Sequence, residues 1–324
     1  MNTDNKHDLV IIGSGPSALS AAVYTTREDI DTVLYEKAVI GGLAATTDMV
    51  DNYPGFPEGV EGLKLAELLQ AQAERFGAKL AFGEVMELED RGEYKWLKTD
   101  SGEVFAKSVL IATGSDYRKI GVPGEAEYLG RGVHYCATCD GAFYRNKRLV
   151  VIGGGNSAVQ ETMFLTRFTS HIDMLVRSTI TSSEVLQDDL KKYIDSGQVS
   201  VHLGTQTLEI VGENNKVTKV VAEKSGEKIE FETDGVFVFV GLIPNTNFLR
   251  DTPIQFDDFG FIKTDAKLET TMPGVFASGD VRSGATMQIA SAVGDGATAA
   301  LRIREYLHDH AKQHTAAQPQ AIYS

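Results

Sequence analysis

One short pattern occurs twice in this chain, and it limits what the chain can fold into more than any other feature. His7 to Ile12 is a compact apolar run that reads as a buried strand. Gly13-Ser14-Gly15-Pro16-Ser17-Ala18 follows at once and leads into an apolar helix through Tyr24. Arg148 to Ile152 reads as a second such strand, followed by Gly153-Gly154-Gly155-Asn156-Ser157-Ala158 and a helix to Phe168. Both turns have the form GxGxxA. The first glycine allows a tight turn, and the second lets a pyrophosphate approach the backbone. The alanine lets the helix pack close to the strand, and the helix N-terminus faces the phosphates. A further strand follows each helix, Thr32 to Tyr35 in one case and Ile172 to Val176 in the other. A glycine string alone is weak evidence, since a glycine turn occurs in other α/β proteins. The ordered set is much stronger. The expected fold is α/β with two Rossmann-like dinucleotide-binding domains.

The two units differ where the second strand ends. Glu36 closes that strand in the first unit, and a carboxylate roughly 20 residues past the glycines suits ribose hydroxyls. Arg177 stands there in the second unit, ahead of the hydroxyl-rich run Ser178 to Ser183. Two readings of Arg177 stand: contact with a 2′-phosphate, or a solvated strand end.

Elsewhere, the turn formers of Gly41-Gly42-Leu43 and Asp51 to Gly55 line a ligand site or serve as plain connections. Leu63 to Phe76 has helical spacing, and Leu80 to Leu110 favours β-structure with breaks at Arg91-Gly92 and Ser101-Gly102. Glu184 to Ser196 reads as a helix, and Val199 to Val240 as a meander. The strands ending at Gly114 and Gly241 suit joints between domains. Val275 to Asp280 is a strand closing on an exposed acid. Ala285 to Leu307 is expected to be a long helix, and His308 to Ser324 a mobile polar tail.

The chain's only two cysteines, Cys136 and Cys139, flank Ala137-Thr138 just ahead of the second unit. A bridge between them closes almost no loop, so it is a poor staple. A structural zinc site needs four ligands, and His134 supplies at most a third. A redox role is favoured, with zinc binding or inert thiols as the alternatives. Asp140 either moves a proton as a thiolate forms or simply occupies the turn before Gly141.

The length of 324 residues suits two domains, and an apolar content of 42% supplies their cores. A net charge of −14 argues against nucleic acid and anionic membranes as partners. No stretch is apolar for long enough to span a bilayer. Met1 to Asp8 is polar and runs straight into a strand, unlike a signal peptide. Cytoplasmic localisation is therefore expected, and there a CxxC is more often catalytic than structural.

On these residues the chain resembles the low-molecular-weight thioredoxin reductases, over nearly all of its length. The likeness is carried by GSGPSALSAA, DNYPGF, CATCDGAFYRNKRLVVIGGGNSAVQE, GVFASGDV and the last helix with Gln288. CATCD immediately before a glycine-rich unit is very specific. The resemblance implies an FAD-binding domain of residues 1–116 and 246–324, with a nicotinamide-type domain, 117–245, inserted into it and carrying the cysteines. It implies FAD contacts from Gly13, Ser14, Gly15, Pro16, Ser17, Glu36, Asn52, Gly279, Asp280, Val281, Gln288 and Ile289. Lys37, Gly41, Gly42, Leu43 and Met287 belong to the same site. Gly153, Gly154, Gly155, Asn156, Ser157 and Arg177 make the second nucleotide site. Cys139 matches the thiol that faces the flavin, Cys136 the one that attacks the partner disulfide, and Asp140 the acid/base carboxylate. The family mechanism also implies a swing of the small domain at the glycine joints.

Three departures from the family pattern bear on the electron donor and the flavin. Members that use NADPH carry His-Arg-Arg-x-x-x-Arg after the strand of the second unit. Here the segment reads Val176-Arg177-Ser178-Thr179-Ile180-Thr181-Ser182. Serines supply neither the charge nor the bidentate geometry that a 2′-phosphate favours. Leu43 replaces a glutamine and Met287 a basic residue. The expected donor is therefore ferredoxin, or a second FAD in the second unit stacked on Tyr135, Phe143, Tyr144 or Tyr323. The alternatives are an ordinary NADPH-dependent thioredoxin reductase served by Arg177 alone, and a non-catalytic nucleotide-binding redox sensor. Thioredoxin or a similar protein disulfide is the expected acceptor, and the family implies a homodimer.

Overall fold

The computed structural model describes residues 5–47 and 49–316, with no side chain described beyond Lys312. The chain forms two compact units, one of Met1–Asp116 with Ile243–Ser324 and the other of Tyr117–Leu242. The return to the first unit thus falls after Leu242 and not after residue 245.

The first unit begins with β1 (Lys6–Ile12), α1 (Pro16–Thr26) and β2 (Thr32–Glu36). It continues with α2 (Gly62–Arg75), β3 (Lys79–Phe82), β4 (Val85–Arg91), β5 (Tyr94–Thr99), β6 (Gly102–Ile111) and β7 (Ser115–Tyr117). The main sheet runs β3-β2-β1-β6-β5-β4. β1 pairs parallel with β2 and β6, while β5 pairs antiparallel with β4 and β6. The apolar run of β1 has a structural reason. Leu9 and Ile11 enter the cluster on one face, Val10 and Ile12 the cluster on the other. A central parallel strand is covered on both sides, so it cannot alternate with polar residues.

The second unit holds β8 (Val133–His134), α3 (Ala137–Asp140), β9 (Arg148–Ile152), α4 (Asn156–Leu165), β10 (His171–Val176) and α5 (Glu184–Asp195). It goes on with β11 (Val199–Leu203), β12 (Thr205–Glu213), β13 (Lys216–Lys224), β14 (Glu227–Glu232) and β15 (Gly235–Val238). Its parallel sheet runs β11-β10-β9-β15-β8, with β12-β13-β14 as a separate antiparallel ribbon. β9 repeats the logic of β1: Leu149 and Val151 serve one cluster, Val150 and Ile152 the other. α4 ends at Leu165, short of the expected Phe168, in a turn where Phe168 N donates to Leu165 O.

β16 (Leu242–Pro244) pairs with β7, so the two chain crossings form one short ribbon. Arg118 N donates to Gly241 O, and Asn245 N to Gly114 O, both at 3.0 Å. β17 (Val275–Ala277) adds to β6, and α6 (Ile289–Ala316) completes the first unit. α6 starts at Ile289 and not at Ala285, because Met287 sits at φ 56°, outside the helical region. It also continues past Leu307 through Ala316, where a tail was expected. The remainder of that tail, 317–324 with Tyr323, lies outside the described residues. Among the described residues, no helix is long and apolar enough to cross a membrane.

Candidate active site

The first glycine turn follows directly from its sequence. Gly13 adopts φ +103°, and a Cβ there would stand 2.5 Å from Ala112 O. Gly13 N donates to Tyr35 O of β2 at 2.8 Å, which ties the turn to the neighbouring strand. Gly15 caps α1, with Pro16 in the first turn, where its missing N–H costs nothing. A Cβ on Gly15 would meet nothing within 4 Å. The space over the helix N-terminus is open, as a phosphate cradle requires.

Several predicted residues converge on this turn. The Glu36 carboxylate accepts from Ser14 N at 2.9 Å, Ser14 Oγ at 2.7 Å and Ala38 N at 2.8 Å. Gly41 N donates to Ser14 O at 3.0 Å, and a Cβ on Gly42 would lie 3.7 Å from Gly15 Cα. Ser17 Oγ shares a hydrogen bond of 2.6 Å with the buried Ser278, and a Cβ on Gly279 would touch Ser17 Cβ at 3.0 Å. Asn52 Nδ2 donates to Gln288 Oε1 at 3.1 Å, joining two loops that are far apart in sequence.

Asp280 follows Gly279 at the end of this wall. Burial pushes its carboxyl up to about 6; Asp295 adds to the rise and Arg282 opposes it. Asp295 is itself held by Arg282 at 2.6 and 3.0 Å and accepts from Gly279 N at 3.1 Å. This Arg282–Asp295 clasp was not foreseen from sequence; only the folded return of α6 puts it beside the glycine.

The second turn repeats the backbone and changes its surroundings. Gly153 has φ +146°, and a Cβ there would lie 2.3 Å from Phe239 O. Gly155 caps α4, and its nearest neighbour for a Cβ is Thr181 Oγ1 at 4.0 Å. The segment after β10 folds back on the turn: Thr181 N donates to Gly154 O at 2.8 Å and Ser183 N to Asn156 Oδ1 at 2.9 Å. Arg177 and Ser178 are exposed, whereas Ser182 is buried. The aromatic candidates separate here. Tyr135 is buried, stacked on Tyr117 at 5.0 Å and donates to Glu125 at 2.7 Å, and Tyr144 is also buried. Neither presents a free ring face; Phe143 is exposed.

Cys136 and Cys139 form a disulfide across one turn of α3. Cys139 N donates to Cys136 Sγ at 3.2 Å, and Asp140 N to Cys136 O at 3.2 Å. Both sulfur-bearing residues are partly exposed. His134 was considered from sequence only as a metal ligand. Its ring is instead engaged on both sides, Nδ1 at 3.2 Å from Asp140 Oδ2 and Nε2 at 2.7 Å from the Tyr144 hydroxyl. No periodicity announces that contact, since the three groups meet only through the strand-to-helix turn. Among the described residues, no group of three or more His, Cys, Asp or Glu is arranged to hold a metal ion.

Comparison with known proteins adds to this geometry. Residues 7–296 match the family of pyridine nucleotide-disulphide oxidoreductases. The chain is 41% identical over 312 residues to a thioredoxin reductase of Bacillus subtilis, covering 95% of this chain and 97% of that one. It is 40% identical over 310 residues to the thioredoxin reductase of Treponema pallidum, covering 95% and 98%. The crystal structure of thioredoxin reductase from Streptococcus pyogenes superposes with a TM-score of 0.89 at 38% identity, covering 95% of this chain and all of that one.

Proposed function

The chain belongs to the pyridine nucleotide-disulphide oxidoreductases, in the low-molecular-weight thioredoxin reductase family, and on that footing we propose that it reduces the disulfide of thioredoxin or a similar protein. The observation that carries this reading is the Cys136–Cys139 disulfide, closed within one helical turn and followed by Asp140. It is an FAD-dependent disulfide oxidoreductase in kind. The first glycine turn fits that cofactor: the space above Gly15 is open, and backbone N–H groups of α1 face it. FAD, when bound, supplies two-electron transfer between the donor and the disulfide.

The protein's own groups do the rest. Gly13 to Ser17, with Gly41 and Gly42, would hold the pyrophosphate of FAD, and Glu36 and Asp280 would meet its sugar hydroxyls. Once the disulfide is reduced, the Cys136 thiolate attacks one sulfur of the partner disulfide. Cys139 then displaces the partner and reforms the Cys136–Cys139 bond. Asp140 takes up and returns the proton.

The family description names a pyridine nucleotide, which supports NADPH as the donor to the second unit. One observation favours a second reading. Arg177 is the only basic side chain of the segment 176–182, and the serine at 182 is buried. A donor that needs no 2′-phosphate contact, such as ferredoxin or a second FAD, fits that segment. Anaerobic titration of the purified yellow protein with NADPH, NADH and a low-potential donor decides between them. Rapid bleaching by micromolar NADPH selects the first reading. Slow bleaching with close to two flavins per chain selects a second FAD, and with close to one it selects ferredoxin. Absence of repeated turnover with thioredoxin, whatever the donor, would identify a redox sensor instead.

A further inference from the structure

The chain carries a net charge of −14, yet the stretch that follows the disulfide turn reverses that sign. Residues 141–170 hold Arg145, Lys147, Arg148 and Arg167 against a single acid, Glu161. Arg148 pairs with Asp173 at 3.6 Å. The other three basic residues are exposed, and among the described residues they make no ion pair. Each lies against an aromatic ring instead. The Arg145 guanidinium is 5.2 Å from the Phe168 ring centre, Arg167 is 5.2 Å from that of Phe164, and the Lys147 ammonium is 5.5 Å from that of Tyr144. A ring holds a cation through its face but brings no negative charge, so the three keep their charge toward solvent. Glu161 does not offset them at the surface: it is partly buried, and its Oε2 is buried without a partner.

Packing gathers these groups into one surface beside the dithiol. Phe164 and Phe168, one turn apart, meet edge to face at 5.5 Å. Asn146 N donates to Phe168 O at 2.8 Å and Ser170 N to Lys147 O at 2.9 Å, which ties the turn after Tyr144 to the end of α4. The same end of α4 abuts the disulfide turn. Gly141 caps α3, and a Cβ there would lie 2.8 Å from Leu165 Cδ2 and 3.4 Å from Phe168 Cδ2.

We propose that Arg145, Lys147 and Arg167, set on their aromatic rings, form the docking surface for the protein whose disulfide is reduced, and that this partner carries acidic side chains around its disulfide. This rests on the disulfide-reductase reading above. Charge selects the occupant. Beyond about 8 Å, physiological salt screens the charge of the rest of the chain, so at contact a partner meets the local sign. Beside the dithiol that sign is positive, which draws an acidic rim into place and turns a basic one away. The arginines suit this role, since a planar guanidinium stacks on a ring with one face and still presents its edge to a carboxylate.

The test uses the full-length flavoprotein, reduced with dithiothreitol and freed of it under argon. It is mixed with oxidised thioredoxin of low isoelectric point in a single turnover, so that no electron donor enters. One dithiol closes to a disulfide and passes two electrons and two protons to one partner disulfide. Dipyridyl disulfide, small and uncharged, is the control that needs no docking. Between about 20 and 500 mM salt the parent's rate constant for thioredoxin is expected to fall about tenfold, with the control rate level. The double variant Arg145→Glu, Arg167→Glu should react with thioredoxin about ten- to a hundredfold more slowly at low salt and lose that salt dependence. Its control rate and melting temperature should match the parent's. The double variant Arg145→Lys, Arg167→Lys keeps the charge and should stay within about threefold of the parent.

The proposal is overturned if the parent's thioredoxin rate is indifferent to salt, or if the glutamate variant keeps the parent's rate. It is overturned equally if the control rate falls as far as the thioredoxin rate, which puts the damage in the dithiol itself. Slower flavin reduction by ferredoxin, with the thioredoxin rate intact, assigns the surface to a donor protein and overturns it too. A parent that reduces dipyridyl disulfide and never thioredoxin removes the functional reading and this surface with it, whereas the other outcomes leave that reading in place.

Discussion

The two glycine turns share one backbone plan and differ in what surrounds them. Gly13 and Gly153 both take positive φ with a carbonyl directly behind them, and Gly15 and Gly155 both leave the helix end open. The flanks do not match. Glu36 folds back to grip Ser14 and Ala38, so the first turn ends in a fixed carboxylate. Behind the second turn a run of hydroxyls lies against the backbone, and Arg177 points to solvent. Cradle geometry is therefore a property of the turn, whereas ligand choice is a property of the strand end beside it.

The sharpest way to break this comparison is to block one turn at a time. Gly15→Val is expected to give folded but colourless protein with disulfide reduction at background. Gly155→Val should stay yellow and lose only reduction by a soluble nucleotide. Absorbance spectra of the two purified variants check this, and a yellow Gly15→Val would reverse the assignment of the flavin to the first unit.

The shared part of the plan predicts a shared penalty. Gly13→Ala and Gly153→Ala each force a Cβ onto a carbonyl at positive φ, which should cost about 2–5 kcal/mol in either unit. Thermal unfolding that spares one of them would show that the two turns are not structurally equivalent.

The differing part is tested by adding charge. Ser178 is exposed, so Ser178→Arg should fold normally and tighten NADPH binding about tenfold, with NADH unchanged. Ser182→Arg puts a guanidinium where a buried hydroxyl sits, and should lower the melting temperature without that gain. Equal gains for both nucleotides at Ser178→Arg would mean that the segment does not read the 2′-phosphate.

The smallest effect concerns Asp280, which has no counterpart in the second turn. Its carboxyl is raised to about 6, so the folded chain holds the proton more tightly than the unfolded chain does. The stability this lends is complete below the ordinary carboxylate range and is lost as pH rises through about 6. Flavin-free Asp280→Asn should exceed the parent by about 1–2 kcal/mol near neutral pH, with the difference closing in acid. A difference that stays constant with pH would remove titration as its cause.

Much of the site was legible because its elements are local. Strand, glycine turn, helix and the acid of Glu36 follow one another in sequence, and each obeys rules of residue size and φ that act within a few residues. The two cysteines were equally plain, since their spacing alone lets them close within one turn. The start of α6 was misplaced for the opposite reason. Ala285 to Met287 has ordinary helical composition, and only the folded backbone, with Met287 at positive φ, delays the helix to Ile289.

By itself, then, the sequence determined the two Rossmann-like units, the disulfide pair between their glycine turns and the single basic residue, Arg177, in the segment 176–182 after β10. Tertiary structure alone decided which polar groups meet across long separations. Ser17 finds Ser278, Asn52 finds Gln288, and His134 settles between Tyr144 and Asp140. Turn and helix preferences are set by neighbours along the chain, whereas a buried hydrogen-bond donor takes whichever acceptor the sheet order and helix packing bring within reach.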